Sequence, residues 1–348
     1  MPTMKNKIYT SLFIILFLLI LSQLSKAQDV NFSQFYDLPV LRNPAIAGLY
    51  NGDVRVTSGF RNQWQSVTVP FRTIALAAEF KKMISYQSGD FVTFGFQITN
   101  DMAGDSKLSR TQFFPFLNYH KSLSENKRTF VSAAFMAGPV MQQFDPTKLQ
   151  FDDQYLGGSF SASNPTHQTL TNTRLTYWDP TAGISISGES GQSSSYYLGF
   201  GLFHFTQPKV SFQPQNDFKL NPKYVLNAGF ITPTSDYDRT TFYLDLFKQG
   251  GAAQGQGGVL ITHDLIQTED DGKVSISGGL FYRLNDAIIP VVKIDYYKLS
   301  FGTSYDINVG KLVPASQHRG GVELTMAYKA FSPNHIYDPT YQSKCPRF

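Results

Sequence analysis

The sequence predicts an all-β protein, a transmembrane antiparallel β-barrel of about fourteen strands. Three observations carry that expectation. Aromatic residues make up 15% of the chain and charged residues only 16%, with a mean hydropathy of −0.20. No long apolar run follows residue 21. Segment after segment alternates apolar and polar side chains with period two, which is the strand signature. In a lipid-facing barrel each outward apolar residue is offset by a polar lumen residue, so no window resembles a membrane helix.

Residues 1–27 have the layout of a secretory signal peptide. Lys5 and Lys7 form the basic start, Leu12 to Leu21 the apolar run, and Ser25 and Ala27 the small residues of a cleavage site. That apolar run would rise only ~15 Å as a helix, half of a ~30 Å hydrocarbon core. No lipobox cysteine stands at the cleavage site to carry a lipid anchor, so export and a mature start at Gln28 are expected.

The formal charge of +4 owes three units to Lys5, Lys7 and Lys26 and leaves 27 basic against 26 acidic residues. Nothing resembles the clustered basic surface that nucleic acids require. The one cysteine, Cys345, excludes an internal disulfide or a thiolate metal cluster.

Residues 28–52 read as a non-strand N-terminal segment, a periplasmic or plug element. Phe32, Phe35, Tyr36 and Leu41 crowd ahead of Asn43-Pro44-Ala45-Ile46-Ala47-Gly48. There Asn suits an N-cap, Pro the first helical position and Gly the exit, predicting one helical turn.

The barrel is expected over 53–331. Strands are placed near 53–61, 70–81, 91–100, 109–121, 128–142, 171–187, 194–206, 222–232, 239–249, 256–264, 273–284, 287–297, 299–307 and 317–330. Val54, Val56 and Phe60 alternate with Arg55, Thr57 and Arg61, and Val322, Leu324, Met326 and Tyr328 with Glu323, Thr325 and Lys329. An even count puts both strand termini on one side, the periplasm in single-chain outer-membrane barrels. Odd-numbered connections should then face outward and be longer. The two longest, near 143–170 and 207–221, are taken as the fifth and ninth. The same count sets the start of the 28–64 stretch on the periplasmic side and Arg61-Asn62-Gln63-Trp64 in the first outer connection. Pro139 and Pro290 within strands imply nearby bulges. The terminal aromatic is Phe331 or Phe348; Phe331 falls on the lumen parity, so either a bulge intervenes or Tyr328 is the relevant ring, and 332–348 is a periplasmic tail.

No catalytic constellation, cofactor motif or metal-ligand spacing is found, and no enzymatic role, cofactor or metal is expected. The six histidines are scattered, with no HExxH and no GxSxG-type turn. The Gly250–Gly258 run has no following helix and reads as a flexible outer loop rather than a phosphate cradle. Glu269-Asp270-Asp271-Gly272 reads as a turn before a strand, and Asp152-Asp153 as loop acids. Lys293, Asp295, Asp306 and Glu323 fall on the lumen parity and are expected to pair there.

Several stretches together carry a resemblance: FSQFYDLPVLRNPAIAG, RNQW, the block from Ala287 to Tyr328 with SFGTSYDINVGKL and GGVELTMAYK, and the closing CPRF. In that order they resemble the PorP/SprF family of type IX secretion outer-membrane proteins, over about residues 28–348. The resemblance implies an integral outer-membrane protein of the secretion and gliding system. It would partner a secreted adhesin or other substrate with a C-terminal sorting domain, assisting export or surface anchoring, alongside other secretion components. The family motifs fall on Asn43, Pro44, Gly48, Arg61, Asn62, Trp64, Ser304, Tyr305, Asp306, Gly321, Glu323 and Cys345, as structural or partner-contact positions. The alternative is a transport pore for small or hydrophobic solutes, since NPAIAG is also similar to fatty-acid-transporter-like barrels.

Overall fold

The computed structural model describes residues 29–331, apart from 67, 86, 125–127, 169, 171, 192–193, 214 and 268–272. The leader, the Glu269–Gly272 turn and the tail with Cys345 lie outside the described residues. Strands β1 (Val54–Gln63), β2 (Phe71–Ser85), β3 (Asp90–Ala103), β4 (Leu108–Ser122) and β5 (Thr129–Gln143) open the barrel. A two-stranded hairpin, β6 (Tyr155–Leu156) and β7 (Ser159–Phe160), stands apart from it. The barrel resumes with β8 (Arg174–Ser190), β9 (Ser194–Phe203), β10 (Lys223–Pro233), β11 (Asp238–Gln249) and β12 (Ala252–Gln267). It ends with β13 (Lys273–Arg283), β14 (Ala287–Tyr296), β15 (Leu299–Asn308) and β16 (Arg319–Ala330). These fourteen strands pair in sequence order as antiparallel neighbours, and β1 closes on β16 with Arg61 opposite Glu323. Closure removes both sheet edges, which an unpaired strand in hydrocarbon could not tolerate.

The period-two pattern sorts as the sequence dictates. Ile74, Leu117, Leu280 and Leu324 face outward, whereas Arg55, Thr57, Arg61 and Glu79 are buried within. A slip of one residue would send these charges into the lipid, so the alternation itself fixes register.

The inside is not an aqueous channel. Residues 29–53 lie in the lumen as irregular chain with short helical turns at Phe35–Asp37, Pro39–Arg42 and Pro44–Ile46. Phe32, Phe35, Leu38, Val40, Ala45, Ile46 and Ala47 are all under 4% exposed. The segment enters where the odd-numbered connections cluster, with Asp29 against Arg110, His204 and Gln249. It leaves at the opposite end, where Asp53 N donates to Ala330 O at 2.8 Å. Its start therefore lies at the far end of the barrel from Ala330, not on the same side as expected. The strand count fixes where β1 begins; packing decides where the preceding chain runs.

Other expectations need correction. The longest connections, 144–173 and 204–222, are the fifth and seventh, so the assigned parity stands although the ninth does not. The ninth is only 250–251, because β12 starts at Ala252 and takes in most of the Gly250–Gly258 run. There Gly258 faces the lumen, and a Cβ on it would meet Phe281 at 2.6 Å, so the glycine admits close packing rather than flexibility. No register shift falls at the prolines themselves. The β4–β5 ladder lapses between Gln112 and Phe116, across Pro115 and Pro139. The β14–β15 ladder lapses across Pro290, beside a shift between Tyr305 and Ile307 on the β16 side. Tyr328 faces outward and Phe331 lies exposed just past the strand end.

Candidate functional site

Among the described residues, charged side chains converge out of solvent around the lumen seat of residues 29–53, in three clusters. A bare charge in such surroundings is costly unless fully paired and hydrogen-bonded. Each cluster meets that demand by joining the segment to the wall.

At the mouth formed by the odd connections, Asp29 receives Arg110 Nη1 at 2.6 Å and His204 Nε2 at 2.6 Å, with Lys223 Nζ at 3.8 Å. The other ring nitrogen of His204 meets Asp179 Oδ2 at 2.6 Å. Burial works against the Asp29 carboxylate, yet Arg110, His204 and Lys223 hold it well below the usual range. His204 shows the converse balance. Burial disfavours its charge, but Asp29 and Asp179 outweigh that and raise its pKa.

On the opposite wall of the same end, lined by β1, β13, β15 and β16, Glu323 accepts Ser33 N at 2.7 and 2.8 Å and Gln34 N at 2.9 Å, and pairs with Arg61 Nε at 3.0 Å. Asp306 takes Ser33 Oγ at 2.5 Å, Arg61 Nη2 at 2.9 Å and Arg283. Below them Tyr36 stacks against both Tyr243 and Phe281, at 4.9 and 5.2 Å between centroids, and those two rings lie 6.4 Å apart, while Asp37 pairs with Lys293.

At mid-lumen the Arg42 guanidinium grips Asp245 through Nε at 2.6 Å and through Nη2, donates to Tyr197 OH at 3.1 Å, and lies 4.6 Å from the Phe35 ring centroid. Asn43 caps the next turn, accepting Ala45 N at 2.9 Å. Pro44 opens that turn with no N–H to satisfy. Wall side chains take up the freed carbonyls: Asn118 donates to Ala45 O and Ala47 O at 3.0 Å, and Ser185 to Ala45 O at 2.8 Å. Gly48 turns the chain out at φ +90 and donates its N–H to Glu79 Oε2 at 2.9 Å; Arg55 donates to the other oxygen at 2.7 Å.

The structure brings Asn43, Pro44, Gly48, Arg61, Asp306 and Glu323 into this seat, and Ser304 beside them on the lumen face. Arg61 is thus a lumen residue and not part of an outer rim. Trp64 alone of its motif sits in the connection, edge-on to Phe71 at 4.7 Å, while Asn62 at the strand end donates to Gln65 at 3.1 Å. Tyr305 points outward, 40% exposed on the lipid side. Gly321 lies on β16 opposite Gln63. Asp153 accepts Thr166 and His167 in the long connection, and no metal-binding group of acids or histidines occurs among the described residues. Sequence reasoning missed Asp29, Arg42, Glu79, Arg110, Asp179, His204 and Asp245. Their parity marked the wall residues as inward, but nothing local named the segment as their partner.

A family model described as type IX secretion system membrane protein PorP/SprF matches residues 24–328. The chain belongs to the PorP/SprF family. It is an integral outer-membrane β-barrel of that secretion family, and the N-terminal motif FSQFYDLPVLRNPAIAG lies in the lumen seat, with Arg61, Asp306 and Glu323 of the later motifs lining it. None of the curated proteins compared matches the chain. Among solved structures it is similar to the Ralstonia pickettii toluene transporter TbuX, at 11% identity and a TM-score of 0.44, over 85% of this chain and 94% of that one. The CymD monoaromatic hydrocarbon channel gives 10% identity and 0.48, over 86% and 94%. A Pseudomonas aeruginosa FadL homologue gives 9% and 0.46, over 82% and 92%. These are likenesses of barrel to barrel only.

Proposed function

We propose that this PorP/SprF barrel is a closed, non-enzymatic anchor that partners a secreted adhesin or another substrate with a C-terminal sorting domain, during export or at the cell surface. The observation that carries the reading is the filled lumen. A segment fastened to the wall by buried ion pairs at Asp29, Asp37 and Arg42 makes a plugged wall, suited to fixing a partner in the membrane rather than to passing solutes. The leader is removed on export, the 331 end and its tail face the periplasm, and other secretion components dock there. The odd-numbered connections then face outward. Those at 144–173 and 204–222 present Tyr155, Leu156, Phe160 and Phe218 to solvent, 58, 58, 38 and 66% exposed. Large apolar side chains exposed on outer connections are a feature of protein-contact surfaces.

The test is to delete residues 145–168 and follow surface display of the partner adhesin by whole-cell labelling. Loss of display with the barrel still folded is expected; normal display would refute the grip. The transport-pore reading requires the segment to leave the lumen, and solute-dependent swelling of liposomes carrying the wild-type barrel would favour it.

A further inference from the structure

The Ala330 end of the lumen carries a charge that neither the plug nor the wall answers. Arg42, Arg55, Arg61, Arg239, Arg283 and Lys293 each hold a carboxylate in an ion pair. Lys329 faces inward on β16 and is part-buried, yet its amine makes no hydrogen bond or ion pair among the described residues. It also stands directly opposite Arg55 in the β1–β16 ladder, a like-charge pairing that destabilises a sheet. The acids of that region are engaged elsewhere. Glu79 holds Arg55 and Gly48 N, Asp37 holds Lys293 and Thr325, and Asp295 holds Ser300 and Ser275.

Lys329 is the inner member of a basic rim. Lys329 N donates to Lys298 O at 2.8 Å, Asp53 N to Ala330 O at 2.8 Å and Lys81 N to Asp53 O at 2.7 Å, so the ends of β15, β16, β1 and β2 lie side by side. They bring the exposed Lys298 and Lys82 together with Lys329, Arg55 and Lys81 across three strand spacings, about 15 Å. Among the described residues of those four strand ends, Asp53 is the one acid.

We propose that this rim docks an acidic segment of a separate periplasmic protein, one carboxylate of which enters the lumen mouth and bonds the Lys329 amine. This rests on the reading that the 331 end faces the periplasm, and it gives the docking there a chemistry. A carboxylate between Lys329 and Arg55 turns the like-charge pair into a charge-assisted bridge. The surrounding lysines steer an acidic partner toward it and fix its register. The tail of this chain is a poor match, since 332–348 carry Asp338 alone against Lys344 and Arg347. A lipid phosphate can meet Lys82 and Lys298 from outside the barrel, but not an amine on the lumen face.

The test couples carboxylates to amines with a water-soluble carbodiimide in spheroplasts of the native cells, where the full-length barrel keeps its partners. Peptide mapping should find Lys329 joined by an amide to an Asp or Glu of another polypeptide, within a stretch rich in acids. In a second arm a labelled hexaglutamate peptide is titrated onto the purified full-length barrel. Lys329→Gln should weaken its binding about tenfold, and Lys329→Arg should keep it. Lys298→Gln should weaken it in the same direction, which keeps the test open if Lys329→Gln does not give the heat-modifiable migration of a folded barrel. Because Lys329→Gln relieves a like-charge pair, its thermal unfolding should not fall. A lower transition would make Lys329 a structural partner and overturn the proposal. So would the absence of an amide at Lys329, or amides only to carboxylates of this chain. Equal hexaglutamate binding in wild type and both glutamine variants would overturn it too, as would loss of a co-purifying phospholipid in place of the peptide. Deletion of 145–168 reads the outer grip alone and leaves Lys329 in place, so the two tests fail independently.

Discussion

Replacing Arg42 by alanine tests the plug directly, because Arg42 belongs to the segment and its removal leaves every wall strand intact. In the native seat its guanidinium satisfies both oxygens of Asp245, only 3% exposed, with Asn227 as the remaining side-chain donor at 2.8 Å. Without Arg42 that carboxylate is buried and unbalanced, a loss of about 3–5 kcal/mol by analogy with other broken buried pairs. At about 1.4 kcal/mol per decade, the population with the segment displaced should rise by two to three decades. Hydrogen exchange of peptides covering residues 33–48, read by mass spectrometry on the detergent-solubilised barrel, reports that population. Their exchange should accelerate by about a hundredfold or more, while strand peptides such as 111–119 keep their protection. Asp245→Ala in the Arg42→Ala background removes both charges, and the pair should recover much of the lost protection. Unchanged exchange in Arg42→Ala would refute the view that this ion pair seats the segment. So would a double variant no better than the single one.

Two further outcomes follow from the same seat. His204 holds a raised pKa because Asp29 and Asp179 outweigh its burial, so its contribution is full below the unfolded value of about 6.5 and lost as pH climbs through the folded value. Asp29 is shifted the other way, so its contribution holds above about 3.9 and fails only as pH falls through its lowered value. The mouth end of the segment should therefore be tightest between about pH 4 and 6.5 and loosen on the alkaline side. Proteolysis near residues 29–32 across pH reads this, and His204→Gln should abolish the alkaline limb. Gly48→Ala places a Cβ at φ +90 against Thr93 and His120 and should cost about 1–3 kcal/mol in a urea titration. Gly104→Ala, also at positive φ but with open space around it, should cost less.

The barrel was legible because its cause is local. Alternation at Val322–Tyr328 against Glu323–Lys329 sorts the side chains onto two faces, and fourteen such stretches behind an export leader point to a closed sheet in a membrane rather than a soluble sandwich. Parity even assigned Asp306 and Glu323 to the lumen. It could not say what they hold. Glu323 meets Ser33 across 290 residues of sequence, and Arg42 meets Asp245 across 203; such pairs exist only once the strands have closed around the segment. The proline- and aromatic-rich run from Phe32 to Gly48 was visible as a segment needing something to pack on. That it traverses the lumen from the odd-connection end, packing against Gly59 and Gly302 of the wall, was decided by burial of charge in three dimensions. Strand period is a property of neighbours in sequence, whereas the pairing of buried charges is a property of the closed barrel.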